Sequence, residues 1–318
     1  MKYVLFDDSD KLHGYVIFER EKSKNLCYFD LGQNKVFQIA SANVRMVNGM
    51  LASYSFYKDG DKNIMVNYIE QNHKPCLQFI ELIFSNHLSQ ELFDLKEVEG
   101  IFIDKIVDEF FYLHHTHELY YYNYYDREDR NARLVNIDTF EMKKLFSEDA
   151  FTPYPVDFID GKYLALGPSG IFFYDEDKIE TIYDHSSPFI EGSLPLYSAV
   201  LKKVKYSSME NRKNTIKIFD VENMQIIDTG IRPMEYDRVD SDKDKFHFLG
   251  EQYILYARYK KGASSLAKSL HRKKAVLSRF LNPVEYVIYD YVNKKEIGYV
   301  ENCQLNAVYD FFPEVSTE

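Results

Sequence analysis

The sequence predicts an all-β fold made of repeated small sheets, and three observations carry that prediction. Residues 156–175 fit three short strand-like runs (156–159, 162–166 and 170–174) around two turns, Asp160-Gly161 and Gly167-Pro168-Ser169-Gly170. Glycine supplies the positive φ that tight turns need and other residues avoid. An apolar run closed by aspartate then recurs as Leu26-Cys27-Tyr28-Phe29-Asp30, Leu134-Val135-Asn136-Ile137-Asp138, Ile216-Lys217-Ile218-Phe219-Asp220 and Tyr286-Val287-Ile288-Tyr289-Asp290. Finally, 27 Tyr and 24 Phe give the chain a strand-favouring composition. Sheets that repeat at this spacing predict a β-propeller.

The best-defined copy is the fourth, with strands expected near 155–159, 162–166, 170–174 and 178–183. The fifth is expected to run from about residue 188 through one long strand, 194–206, and then 214–221 and 225–228. The sixth is read at 245–249, 252–259, 284–291 and 296–300. The first three are looser, with strand-like runs at 50–56, 64–69 and 77–83 and a hairpin turn at Lys58-Asp59-Gly60-Asp61-Lys62. Spacing the copies by Asp30, the region of Glu81, Asp138, Asp175, Asp220 and Asp290 gives six blades; splitting 96–138 would give seven. One domain spanning 1–318 is expected.

Beyond the last copy, Asn306-Ala307-Val308-Tyr309-Asp310-Phe311-Phe312 resembles the first strand at 155–159. A blade begun at the C-terminus must be finished elsewhere, and pairing with the N-terminal strands leaves no open edge between first and last blades. This arrangement resembles the WD-repeat-like propellers over most of the chain. The resemblance implies an architecture and nothing more, because a chain without Trp lacks the Trp-Asp signature, and such folds host binding modules and enzymes alike.

A net charge of −11 opposes a general nucleic-acid-binding surface, which needs cations to displace phosphate counterions. Cys27, Cys76 and Cys303 are odd in number and show no C-x-x-C spacing, so neither a disulfide framework nor a cysteine-rich zinc site is indicated. The first residues reach Asp7 after four consecutive apolar positions, too few for a secretory h-region, and a cytoplasmic location is expected.

Chemical motifs are sparse. His115 and His117 are the imidazole pair with ligand-like spacing. Aligning 111–120 with 162–172 places them in a surface turn between second and third strands, and no metal or other cofactor is expected. Asp240, Asp242, Asp244 and Glu251 match positions of a calcium loop, but Lys245 stands where that loop needs Gly. Gly167-Pro168-Ser169-Gly170-Ile171 lacks the second Gly of a nucleophile elbow, and no phosphate-cradling glycine loop is present. The carboxylate clusters Asp126, Glu128, Asp129 and Asp175, Glu176, Asp177 fall where turns belong.

One segment breaks the repeat. Residues 262–282, inserted between second and third strands of the last blade, place Leu266, Leu270, Leu277 and Leu281 at helical spacing, with Ser264 or Ser265 as a cap and Pro283 after the end. Between Arg258 and Arg279 stand eight Lys or Arg and no acid. An amphipathic basic helix is predicted, its apolar stripe against the body and Lys268, Arg272, Lys273, Lys274 and Arg279 outward. With Lys202, Lys203 and Lys205, and with the histidine turn, it is expected to share one loop face and to bind a macromolecular partner. An acidic protein is the first expectation, ahead of nucleic acid or an anionic membrane. The alternative is a hydrolase or lyase acting at the propeller's axial cavity.

Overall fold

In the computed structural model, the residues described are all except 8–9, 21–25, 40–45, 48–49, 52–53, 85–91, 104–108, 123–132, 144–153, 168–169, 176–177, 185–195, 211–212, 232–245, 273–283, 302–304 and 314–318. The chain begins with β1 (Lys2–Leu5). Blade 1 contains β2 (Tyr15–Arg20), β3 (Leu26–Asp30) and β4 (Lys35–Ile39). A short ladder, β5 (Met46–Val47) with β6 (Met50–Leu51), precedes blade 2, which is β7 (Ser55–Asp59), β8 (Lys62–Gln71), β9 (Lys74–Ile83) and β10 (Leu92–Phe102). Blade 3 is β11 (Glu109–Leu113), β12 (Glu118–Tyr122), β13 (Arg133–Asn136) and β14 (Met142–Lys143). Blade 4 is β15 (Tyr154–Ile159), β16 (Lys162–Gly167), β17 (Gly170–Asp175) and β18 (Lys178–Asp184). Blade 5 is β19 (Leu196–Ser198), β20 (Lys203–Glu210), β21 (Lys213–Asp220) and β22 (Gln225–Asp228). Blade 6 is β23 (Phe246–Phe248), β24 (Tyr253–Tyr259), β25 (Val284–Asp290) and β26 (Lys295–Glu301), with helix α1 (Ser265–Arg272) between its second and third strands; β27 (Leu305–Phe312) follows. Every blade is an antiparallel meander, and the fold is an all-β six-bladed propeller, as the aspartate spacing predicts.

The chain divides into two compact units, residues 1–37 with 189–318, and residues 38–188. The first holds blades 1, 5 and 6, the second blades 2, 3 and 4. In the first unit the predicted closure is present: β27 pairs with β2 and supplies blade 1 with its first strand. The N-terminal strand adds a tie the sequence did not announce, because β1 pairs with β26 as a fifth strand of blade 6. Its outer edge is also satisfied. The Asn34 carboxamide accepts from the Tyr3 N–H and donates to the Tyr3 carbonyl, both at 2.8 Å, and the Tyr3 hydroxyl donates to the Leu31 carbonyl at 2.6 Å. A side-chain amide thus takes the place of a neighbouring strand and closes an otherwise open edge.

Period-two alternation sets the cores. In the first unit Val16 and Phe18, Cys27 and Phe29, and Ile216 and Ile218 turn inward with Ile254, Ile288, Ile297 and Phe311. In the second, Ile64, Val66 and Tyr68 of β8 pack with Phe110 and Tyr112 of β11. Each such side chain contributes about 1.5–3 kcal/mol by leaving water; the alternate residues Ile17, Tyr28, Phe219 and Leu255 are buried as well.

Two expectations need correction. The strand expected at 194–206 is a hairpin, β19 and β20, broken at 199–202, where Lys202 takes φ 51°. And His114–Thr116, a 3-10 turn, joins the first and second strands of blade 3, not the second and third. Of the predicted insertion helix, Ser265–Arg272 is helical. The remainder, with Lys273, Lys274 and Arg279, lies outside the described residues, as do Asp240, Asp242, Asp244, Cys303 and the Pro168-Ser169 turn. Among the described residues no helix is long and apolar enough to cross a membrane.

Candidate functional site

Three of the recurrent aspartates are turn caps. Asp30, Asp220 and Asp290 end the third strands of blades 1, 5 and 6, and in each case a carboxylate oxygen accepts the backbone N–H three residues on, from Gln33 (2.8 Å), Asn223 (3.0 Å) and Asn293 (2.8 Å). The residue after each aspartate is buried, and its N–H donates to the carbonyl just before the blade's second strand: Leu31 to Gly14, Val221 to Lys202, Tyr291 to Gln252. Blade 3 repeats the device with Asn136, which caps Thr139 at 3.0 Å, while Ile137 donates to His117. A carboxylate spent on a turn is stabilised by backbone donors and is poorly placed for acid–base chemistry.

The histidine turn sits at this same stitched end of blade 3. His117 Nδ1 lies 3.2 Å from Asp138 Oδ2, and His114 Nε2 lies 3.9 Å from Asp59 Oδ1 of blade 2. His114 stacks on Tyr57 with ring centroids 4.1 Å apart. Burial, with Asp59 and Glu99 adding to it, pushes the Tyr57 phenol up to about 12. His115 is exposed. Among the described residues no three His, Cys, Asp or Glu side chains converge as a metal site would require.

The lysines of blade 5 do not form the expected patch. Lys202 closes the turn between first and second strands, the end opposite to the one carrying α1 in blade 6. The Lys203 ammonium donates to the Glu251 carbonyl at 2.8 Å and the Tyr291 hydroxyl at 3.0 Å. Lys205 is 3% exposed, and its charge, after burial itself, helps hold His247 of β23 down to about 3. Lys203 and Lys205 share one face of β20, where Lys203 is half-buried and Lys205 buried, and Val204 and Tyr206 of the other face are buried as well.

Geometry singles out the α1 insertion. Residues 21–25 and 211–212 connect second to third strands in blades 1 and 5, where blade 6 spends residues 260–283. Its stem is braced by Arg258, whose guanidinium donates to Glu285 at 2.6 Å and to Glu296. Burial opposes that charge, but the hydrogen bonds to Glu296 and Glu285 outweigh it and hold the guanidinium above its ordinary range. Arg258 is therefore a structural cation. Above the stem the Ser264 hydroxyl caps the helix by accepting the Ala267 N–H at 3.1 Å. Ala267 is buried and Leu266 is 67% exposed, so the apolar stripe expected to face the body does not do so at its first leucine. Lys260 and Lys261 are exposed at the helix's approach.

Sequence reasoning missed a buried polar cluster on the first strands of the first unit. Asp310 of β27 is 5% exposed and accepts from Ser198 of β19 and from the amides that follow it. The signal was available, since Asp310-Phe311 repeats Asp157-Phe158 of β15; both are buried aspartates whose Oδ1 accepts the next residue's N–H at 2.8 Å.

No family model and no curated protein matches the chain. Solved structures do match. TolB from Acinetobacter baumannii aligns over 95% of this chain and 67% of its own, at 10% identity and a TM-score of 0.51. A nidogen/laminin complex aligns over 94% and 97% at 9% identity and a TM-score of 0.44. The β-propeller domain of Cps50 (Swd1) from Myceliophteria thermophila aligns over 92% and 88% at 12% identity and a TM-score of 0.41. At these identities the likeness is one of fold: the chain is built as a β-propeller, an architecture commonly used for binding.

Proposed function

We propose that this protein is a macromolecular binding module that engages an acidic protein partner through the blade 6 insertion. One observation carries the reading. On a chain of net charge −11, the longest connection within any blade of the first unit carries a capped helix, α1, on which Leu266 is exposed, in a stretch of sequence rich in Lys and Arg. An exposed apolar side chain in a cationic stretch of sequence suits docking to an acidic partner: burial of the leucine removes apolar surface from water, and the charges supply orientation and rate. The hydrolase or lyase alternative would need a free acid on the first strands, and both carboxylate oxygens of Asp310 are already engaged by donors.

The test compares three proteins: the parent, a variant in which a Gly-Ser linker joins Lys261 to Pro283, and the charge reversal Arg272→Glu, Lys273→Glu, Lys274→Glu. Each is used as bait in extracts of the native host at low and at physiological salt. Acidic partners retained by the parent should be lost from both variants and weakened by salt. An identical set of partners from all three, with both variants folded, would remove the insertion from the binding surface.

A further inference from the structure

We propose that Asp310 is a proton-controlled latch, tying the C-terminal strand β27 to the β19–β20 turn and holding it more tightly when its carboxyl is protonated. The latch joins segments far apart in sequence. Oδ1 accepts from the Ser198 hydroxyl at 2.5 Å and from the Phe311 amide at 2.8 Å; Oδ2 accepts from the amides of Ala199 at 3.1 Å and Val200 at 3.4 Å. Ser198 Oγ in turn accepts the Leu201 amide at 3.1 Å, so serine and aspartate together organise the turn from both sides.

All four donors are neutral, and the carboxylate is almost wholly withdrawn from water. Such a charge is disfavoured unless a cation or enough hydrogen bonds offset it. Among the described residues no cation pairs with it. On β2 Asp310 lies opposite Ile17, whereas Glu19 and Arg20 pair with Ala307 and Leu305. Tyr15 of that strand pairs with Phe312. On β23 His247 is kept neutral by burial and by Lys205. Across the turn, the Lys203 ammonium is taken by Glu251 and Tyr291. Burial accordingly pushes the carboxyl up to about 6, against the hydrogen bonds from Ser198, Phe311, Val200 and Ala199.

The arrangement survives protonation because a hydroxyl can reverse its role. A proton taken from solvent onto Oδ1 is donated to Ser198 Oγ, the serine hydrogen turns away, and Oδ2 continues to accept the two amides. The neutral carboxyl keeps its contacts and sheds the desolvation cost. When the turn opens, the carboxyl returns to water, where it ionises at its ordinary value. Opening is therefore easiest at neutral pH and is suppressed as pH falls through 6 towards 4.

Amide hydrogen exchange tests this in the intact protein. After correction for intrinsic rates, protection of the Ala199 and Val200 amides should rise about tenfold from pH 7 to pH 5. In Asp310→Asn, which cannot titrate, protection should be flat across the same interval. Protection that falls on acidification, or an equal rise in Asp310→Asn, would overturn the proposal. Should that variant fail to fold, carbon-detected NMR titration of the parent decides the matter: an Asp310 midpoint near 6 is expected, and one near 4 or below sinks it.

Discussion

The two units solve one problem differently. In residues 1–37 with 189–318, all three blades pass from third to fourth strand through an aspartate-capped turn, at Asp30, Asp220 and Asp290. In residues 38–188 the three blades use three solutions: an asparagine cap at Asn136, a two-residue link after Asp175, and the longer stretch from Ile83 to Leu92. The regular unit is also the one that holds both chain ends. Where terminal strands must be fastened, the turns are uniform and each is stitched to its neighbouring turn by a buried amide; where the chain runs continuously, the turns vary.

The fastening can be broken at two glycines. A Cβ on Gly298 would stand 2.3 Å from the Val4 carbonyl oxygen, and one on Gly14 would stand 2.6 Å from that of Phe312, at φ +102°. Backbone cannot retreat from such an approach without releasing β1 or β27. Gly298→Val and Gly14→Ala should each cost about 3 kcal/mol or more in urea unfolding. Gly161, in the second unit, has nothing within 4 Å of its Cβ position, so Gly161→Ala pays only for its positive φ, about 1 kcal/mol. Equal losses at all three sites would mean that the terminal strands hold nothing.

The carboxylate caps come next in size. Asp220→Ala and Asp290→Ala remove acceptors from amides that have no other partner in the turn, at about 1–2 kcal/mol each. Asn136→Ala should cost a similar amount, because Asn136 Oδ1 serves the amides of Asp138 and Thr139 in the same way. Thermal unfolding of the three variants measures this; a cost confined to the two aspartates would show that charge, not the accepted hydrogen bond, matters.

Much of this fold is written locally, and its failures are instructive. Aspartates at strand ends marked blades 1, 5 and 6 because cap and strand are adjacent in sequence, and the remaining blades were counted from apolar runs ending near Glu81, Asp138 and Asp175. The closure by β27 was legible because Asp310-Phe311 copies Asp157-Phe158. The break at 199–202 was hidden, since Ala-Val-Leu-Lys contains no turn residue; the turn is held by Asp310, more than a hundred residues away. The histidine turn was misplaced by one strand because β11 and β12 are both aromatic-rich runs of five, and a left-handed His117 stands where a glycine would have marked the turn. At the candidate site the insertion was evident from composition. The fate of Lys205 was not, because it shares a strand face with the half-buried Lys203 and nothing local in the sequence marks it as buried.

The second arm of the side chain separates Asp30 and Asp290 from Asn136, whereas Asp220 accepts both the backbone and the side-chain amide of Asn223 through Oδ1. Asp30 and Asp290 use their other oxygen to accept from Gln33 Nε2 and Asn293 Nδ2, at 2.8 and 2.7 Å. Asn136 instead turns its Nδ2 towards the Thr116 carbonyl of the histidine turn, donating at 3.3 Å. Exchanging the two residues keeps the capping oxygen and reverses only the second arm. In Asp290→Asn the new amide meets that of Asn293, which can rotate end for end and present its oxygen, so the expected cost is about 0.5 kcal/mol. In Asn136→Asp a carboxylate faces a backbone carbonyl that cannot rotate, and the expected cost is about 1 kcal/mol. Urea unfolding of the two exchanges, with the order of their costs reversed, would show that the second arm does not choose the residue.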